Sequence, residues 1–287
     1  MKDRFGLGWR PQLALGILSH LDRIDLVEVI ADDLFDAPRA TRRAIRTLAA
    51  QVPITLHGVS LGLASSVPVE TKRLDKTARL VNELNPVSWS EHLAFVRGGG
   101  VEIGHLAAPP RTETTIDGAM NNLRGACAVV GSAPQVENIA TLIDPPGSAL
   151  DEATWIIEIL RAADVDLLLD LHNLYANCLN FGVDPRAFLS RLPADRIASV
   201  HLAGGRWMRA GESSRLLDDH LHDVPPPVYD LLAEVGARAT RPLTVIIERD
   251  GHYPPVESLL AELDRAREAL ERGRERRQRL EREEAAA

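Results

Sequence analysis

The sequence predicts an α/β fold, a (β/α)8 barrel of the TIM type. Short apolar runs alternate with amphipathic helical stretches, eight times over. Eight such repeats in roughly 250 residues is the size of that barrel. Six of the apolar runs end in an imidazole or a carboxylate, at the end where barrel enzymes build their sites.

The elements follow in order. Residues 6–10 form a weak first strand and 11–21 its helix. The second strand, 25–30, is rich in Val and Ile, and 38–50 reads as a helix. Residues 54–57 and 87–91 are the third and fourth strands, with a helix over 69–84 between them. A Gly-rich loop, Gly98-Gly99-Gly100, precedes a helix over 113–130. Strand five is 135–138 and its helix 150–163. Val-Asp-Leu-Leu-Leu-Asp over 165–170 reads as a strand buried on both faces. Residues 197–201 and 243–248 complete the set. Alternation of this kind implies parallel strands joined by crossovers. A doubly wound open sheet is the rival. It expects a phosphate-binding turn, but Gly6-Leu7-Gly8-Trp9 runs into Arg10-Pro11 without a third spaced glycine.

The expected organisation is a single barrel over 1–271 and a charged, frayed tail over 272–287, rich in Arg and Glu at helical spacing. The formal net charge of −8 argues against nucleic-acid phosphate and anionic membrane as partners. Two cysteines, Cys127 and Cys178, make no disulfide framework. Residues 1–6 carry no apolar signal segment, and no apolar run reaches the ~18 residues of a membrane span. A cytoplasmic location is the expectation.

The chemistry lies at the strand ends. Ile54-Thr55-Leu56 ends in His57, and Val87-Ser88-Trp89-Ser90 ends in Glu91-His92. Gln135-Val136 ends in Glu137, and Leu167-Leu168-Leu169 in Asp170. Ser199-Val200 ends in His201, and Val245-Ile246-Ile247 in Glu248. Carboxylates sharing one volume raise one another's pKa and lose solvation, a conflict that bound cations resolve. Any one of these residues alone reads better as a structural histidine or a helix cap; six in succession do not. Mixed His and carboxylate donors suit zinc, manganese or iron better than calcium or magnesium. Asp218 and His220 lie two apart in a loop, a spacing that can chelate one metal. Asn173 follows Asp170 by three residues, and His172 between them is placed to donate from behind. His20, His105, His222 and His252 have no such placement, although His252 is a candidate for substrate contact.

This order of ligands along a barrel resembles the xylose-isomerase-like superfamily. Endonuclease IV-type nucleases in it hold three metals, with histidine at the position of Asn173. Several longer strings are similar to the multinuclear non-haem iron-dependent oxidases (the MNIO family). They are Gly6-Leu7-Gly8-Trp9-Arg10, Leu56-His57-Gly58-Val59-Ser60-Leu61, Ser90-Glu91-His92, Val136-Glu137-Asn138-Ile139, Asp170-Leu171-His172-Asn173-Leu174-Tyr175-Ala176-Asn177, Val200-His201-Leu202-Ala203-Gly204 and Leu217-Asp218-Asp219-His220. The resemblance runs from about Gly6 to Ala269.

It implies two or three irons, dioxygen as co-substrate, and oxidation of cysteine residues in a ribosomally made precursor peptide. Carried over, it assigns one iron to His57, His92 and Glu137. Glu137 bridges to a second held by Asp170, His201 and Glu248, and these four are the candidates for a direct catalytic role. Asn173, Asp218 and His220 take the third. Gly104-His105-Leu106-Ala107-Ala108-Pro109-Pro110 departs from the family's Leu-Pro-Leu-Pro run. No separate peptide-recognition domain is visible, so a partner protein is expected to read the leader.

Three other readings stay open at this level. A metal-dependent phosphodiesterase predicts a basic groove, to which Arg10, Arg97, Arg111, Arg206, Arg209 and Arg249 are the candidates. A sugar isomerase wants a lysine near the metals, but Lys2, Lys72 and Lys76 are at no strand end. A metal-dependent scaffold would tolerate loss of Glu137 or Asp170.

Overall fold

In chain order the elements are β1 (Arg4–Gly8), α1 (Ala14–Ser19), β2 (Leu26–Ile30), α2 (Asp32–Phe35), α3 (Arg39–Ala49), β3 (Ile54–Gly58), α4 (Thr71–Leu84) and β4 (Trp89–His92). Then come β5 (Phe95–Gly98), β6 (Val101–Ala107), α5 (Glu113–Val130), β7 (Gln135–Glu137), α6 (Glu152–Ala163) and β8 (Leu167–Asp170). The rest are α7 (Leu171–Phe181), α8 (Pro185–Arg191), β9 (Ile197–Leu202), β10 (Gly205–Ala210), β11 (Ser213–Asp218), α9 (Pro226–Arg238), β12 (Thr244–Ile247) and α10 (Val256–Ala286). They are taken from a computed structural model that describes residues 2–211 and 213–286.

Eight strands close a barrel in the order β1-β12-β9-β8-β7-β4-β3-β2, which is the fold the alternation predicts. The remaining four form two antiparallel hairpins, β5 with β6 and β10 with β11.

The chain divides into two compact units, Asp25–Leu168 and Met1–Ile24 with Leu169–Ala287. In the first, β2, β3, β4, β7 and β8 pair in parallel, and Leu26, Val29, Ile54, Leu56, Val136 and Leu167 are almost wholly buried. Helix α5 starts where the Thr112 hydroxyl accepts from the Thr115 amide, and it ends at Gly131 in the left-handed region. The triple glycine is a hairpin turn. Gly99 and Gly100 have φ of 57° and 79°, as a two-residue turn between twisted strands demands.

In the second unit β1, β12 and β9 pair in parallel around Leu7, Val200, Val245 and Ile246. Pro226 opens α9, where its missing N–H costs nothing. Helix α10 packs so closely on α9 that a Cβ on Gly273 would stand 2.2 Å from the Ala233 carbonyl oxygen. It continues without a break past residue 271 to Ala286, and Arg274 Nη2 donates to Asp3 Oδ1 at 2.8 Å.

Candidate metal centre

Within Asp25–Leu168, strand register assembles three side chains. Parallel pairing sets His57 beside Ser90, and His92 beside Glu137. His57 Nε2 and His92 Nε2 each lie 3.3 Å from the same Glu137 oxygen, Oε2. The two rings meet edge to face, 4.6 Å between centroids. All three residues are buried.

The hydrogen bonds behind the rings fix their tautomers. The Gly58 carbonyl can only accept, so His92 Nδ1, 3.1 Å away, carries the proton. The Ser90 hydroxyl donates to the Leu56 carbonyl at 3.4 Å, so it accepts from His57 Nδ1 at 2.8 Å. In the neutral rings that a metal requires, both Nε2 atoms turn a lone pair towards a carboxylate oxygen. Three electron-rich atoms facing one another repel, and a cation between them turns the repulsion into three ligand bonds. The donor set fits a metal.

Glu91 supports this group, and the sequence reading did not single it out. Its Oε2 accepts from the Leu61 amide at 3.1 Å and its Oε1 from the His92 amide at 2.9 Å. Gly58 makes room for it, because a Cβ there would stand 2.7 Å from Glu91 Oε2. Asp32 accepts from the Val59 amide at 2.9 Å. Burial, with Glu91 adding to it, raises its carboxyl above the usual range.

The other unit gathers a second set. Asp170, His201 and Glu248 are buried and offer one donor atom each within 4.8 Å of one another. His201 Nδ1 lies 3.1 Å from Glu248 Oε2. Asp170 caps α7, its Oδ1 accepting from the Asn173 amide at 2.6 Å. Asn173 is thus in contact with Asp170 through its backbone.

Asp218 and His220 join this set. His220 adopts a left-handed φ of 54°, which swings its ring back towards Asp218. Its Nε2 is 2.9 Å from Asp218 Oδ2 and 4.0 Å from Asp170 Oδ2. Its Nδ1 is 3.3 Å from Glu248 Oε2 and 3.4 Å from Asp250 Oδ2. His172 Nδ1 donates to the other Asp218 oxygen, Oδ1. Burial opposes charge on His220, but Asp218 first, then Asp250 and Glu248, outweigh it and hold the imidazole well above its ordinary value. Burial likewise works against the Asp218 carboxylate, yet His220 and His172 bring it down to about 2.

Asp250 and Arg10 were not marked as parts of this network. Arg10 donates to Asp250 Oδ1 through both Nε, at 3.1 Å, and Nη2. The separation of 240 residues hides the pair from any local reading. His222 sits apart, its Nδ1 2.9 Å from Asp219 Oδ1 and its ring edge-on to His252. His20 closes α1 on the Gly16 carbonyl at 2.8 Å.

A closed (β/α)8 barrel with buried His and carboxylate groups at its strand ends is the framework of a metal-using class of protein. Residues 4–271 match the family described as "RiPP precursor modification enzyme MbnB/TglH/ChrH", and the chain belongs to that family. It is the family of the MNIO strings. A relative called UPF0276 protein in Streptomyces avermitilis is 37% identical over 274 residues, 93% of this chain and 55% of that protein. The chain therefore spans just over half of that relative. A second UPF0276 protein, from Anaeromyxobacter sp., is 33% identical over 92% of this chain and 91% of its own. Among solved structures, an L-ribulose 3-epimerase superposes with TM-score 0.59 at 16% identity, covering 99% of this chain and 98% of its own. D-psicose 3-epimerase from Clostridium cellulolyticum H10, with D-tagatose, gives 0.55 at 12% identity over 96% and 99%. These last two show the xylose-isomerase-like fold. No helix among the described residues is long and apolar enough to cross a membrane.

Proposed function

We propose that this chain is an iron- and dioxygen-dependent oxidase that modifies cysteine residues of a ribosomally synthesised precursor peptide. The observation that carries the reading is the group His57, His92 and Glu137, two imidazoles and one carboxylate with their lone pairs converging. That donor set is the one non-haem iron oxygenases use. Family membership supports a precursor peptide as the substrate.

In this reading His57, His92 and Glu137 would hold one iron, and Asp170, His201 and Glu248 a second. Asn173, Asp218 and His220 would hold a third. Bound iron supplies redox chemistry and an affinity for thiolate that no side chain here has. The protein's part is to hold protons on His57 Nδ1 and His92 Nδ1, away from the metal face. It also keeps Asp218 oriented through His172. Recognition of the leader is assigned to a partner protein, and the location to the cytoplasm.

Five of the six arginines weighed for a phosphodiesterase groove are otherwise engaged. Arg10 holds Asp250, Arg97 holds Glu102, Arg111 holds Asp144, Arg206 lies 3.3 Å from Asp219, and Arg249 holds Asp223.

The test is anaerobic purification, loading with ferrous iron, and oxygen uptake with a cysteine-bearing peptide encoded beside the gene. Iron binding, oxygen consumption and a mass change on the peptide are expected. Stoichiometric zinc that iron does not displace, with no oxygen uptake, overturns the reading.

A further inference from the structure

Helix α3 is a one-sided basic surface. Its apolar face, Ile45 and Leu48, is buried. Arg39, Arg42, Arg43 and Arg46 recur at helical spacing on the rest, and the helix contains no acidic residue. The deficit extends well beyond it: no Asp or Glu occurs from Ala37 to Val69, in a chain that carries 41 of them in 287 residues. Helix α10 shows the contrast, since its eight arginines are interleaved with nine acidic residues.

One carboxylate answers the four guanidiniums. Glu83 on α4 accepts from Arg42 and lies 3.7 Å from Arg46 Nε. Arg39 and Arg43 are exposed and have no ion pair among the described residues. They stand between two open depressions. One of about 450 Å³ is floored by Ala40, Ala44 and Thr47, and one of about 540 Å³ is closed by Arg42, Arg46 and Glu83. The alanines leave a main chain room to approach between the arginines.

Placement links this face to the metal ligands of the same unit. Ile30, the last residue of β2, pairs with His57. A helix that follows a barrel strand starts at that strand's C-terminal end, so Arg39 lies at the site end of α3 and Arg46 away from it. Eleven helical residues span roughly 16 Å, the length of about five extended residues.

We propose that the arginine face of α3 docks an acidic segment of the peptide substrate and leads it towards the metal centre. The inference rests on the peptide-modifying reading for the kind of chain that arrives. Guanidinium forks match carboxylates in pairs. Three net positive charges suit a short acidic stretch, whereas the net −8 of the whole chain works against a long phosphate polymer.

The probe is a fluorescein-labelled dodecapeptide of alternating glutamate and serine. Its binding to the metal-loaded protein is read by anisotropy at low and physiological salt, beside a single-stranded DNA of equal charge. Arg39→Ser/Arg43→Ser removes the unpaired guanidiniums and leaves the Glu83 pairs; its melting temperature and metal content show that the fold is intact. Wild type is expected to bind the glutamate peptide with salt-sensitive affinity. The double variant should bind about tenfold more weakly, and DNA no more tightly than peptide. Equal binding by the double variant overturns the proposal, as does tighter binding of DNA through the same arginines. Because binding needs no turnover, loss of oxygen uptake with arginine-dependent peptide binding defeats the oxidase reading alone. Oxygen uptake with arginine-independent binding defeats the docking surface alone.

Discussion

Ser90 Oγ stands 2.8 Å from His57 Nδ1, on adjacent parallel strands where register makes the two residues neighbours. The hydroxyl donates its own hydrogen bond to the Leu56 carbonyl, so it fixes both the tautomer and the tilt of the imidazole. Removing such a partner behind a metal-binding histidine typically costs about 10–100-fold in metal affinity. Ser90→Ala should lower metal affinity in that range while Tm of the metal-free protein stays close to wild type. Metal titration followed by elemental analysis checks it, and unchanged affinity would remove His57 from the ligand set.

Glu137→Gln has opposite consequences with and without metal. In the metal-free protein the carboxylate oxygen faces two imidazole nitrogens at 3.3 Å, which repel it wherever the rings are neutral. A glutamine amide turned to present its NH2 donates to one of them and relieves the repulsion. Tm of the metal-stripped variant should therefore exceed that of stripped wild type. In the loaded protein the order should reverse, with fewer ions per chain and activity down more than about 100-fold. Calorimetry before and after chelation measures both arms, and the same order of Tm in both states would contradict the assignment.

Those two residues show what was legible in advance. His57, His92, Glu137, Asp170 and Glu248 were readable because each ends an apolar run, and strand periodicity sends such residues to one rim. Ser90 and Glu91 were written in the same strings, but nothing local says that register brings Ser90 beside His57 and Gly58 beside Glu91. The β10–β11 hairpin carries no strand signal in the sequence, because Arg206, Trp207 and Arg209 are exposed and break the apolar alternation. Strand bounds moved by one or two residues, as at β1, where Arg4 and Phe5 pair with Thr244 and Val245. Contacts that span the chain, such as Arg10 with Asp250, leave no periodic trace.

Arg10 acts on His220 at second hand. Its two bonds to Asp250 Oδ1 hold that carboxylate so that Oδ2 lies 3.4 Å from His220 Nδ1. Lysine has the charge but not the fork. Arg10→Lys should weaken the metal site proposed for Asp218 and His220 by about tenfold and leave that proposed for His57, His92 and Glu137 unchanged. Asp250→Asn should do the same. Stepwise metal removal with a weak chelator would show one class of ion leaving earlier; uniform loss of all ions would mean that the pair shapes the fold instead.

Glu262 ties stability to pH. It is buried on α10, its Oε1 accepting from the Val224 amide at 2.8 Å. Burial raises its carboxyl above the ordinary 4.5, and the Val224 amide and Arg249, at 3.7 Å, offset this in part. A carboxyl raised on folding binds its proton more tightly in the native state. Its contribution is therefore full below the unfolded value and is lost as pH climbs through the folded one. Glutamine keeps an oxygen for the Val224 amide and cannot ionise, while Arg249 retains Asp223 at 2.6 Å. Glu262→Gln should match wild type in Tm near pH 4.5 and exceed it increasingly as pH rises towards 8. Thermal unfolding of the metal-stripped pair across that range decides the sign. A gap that narrows with rising pH would mean that the ion pair with Arg249 outweighs burial.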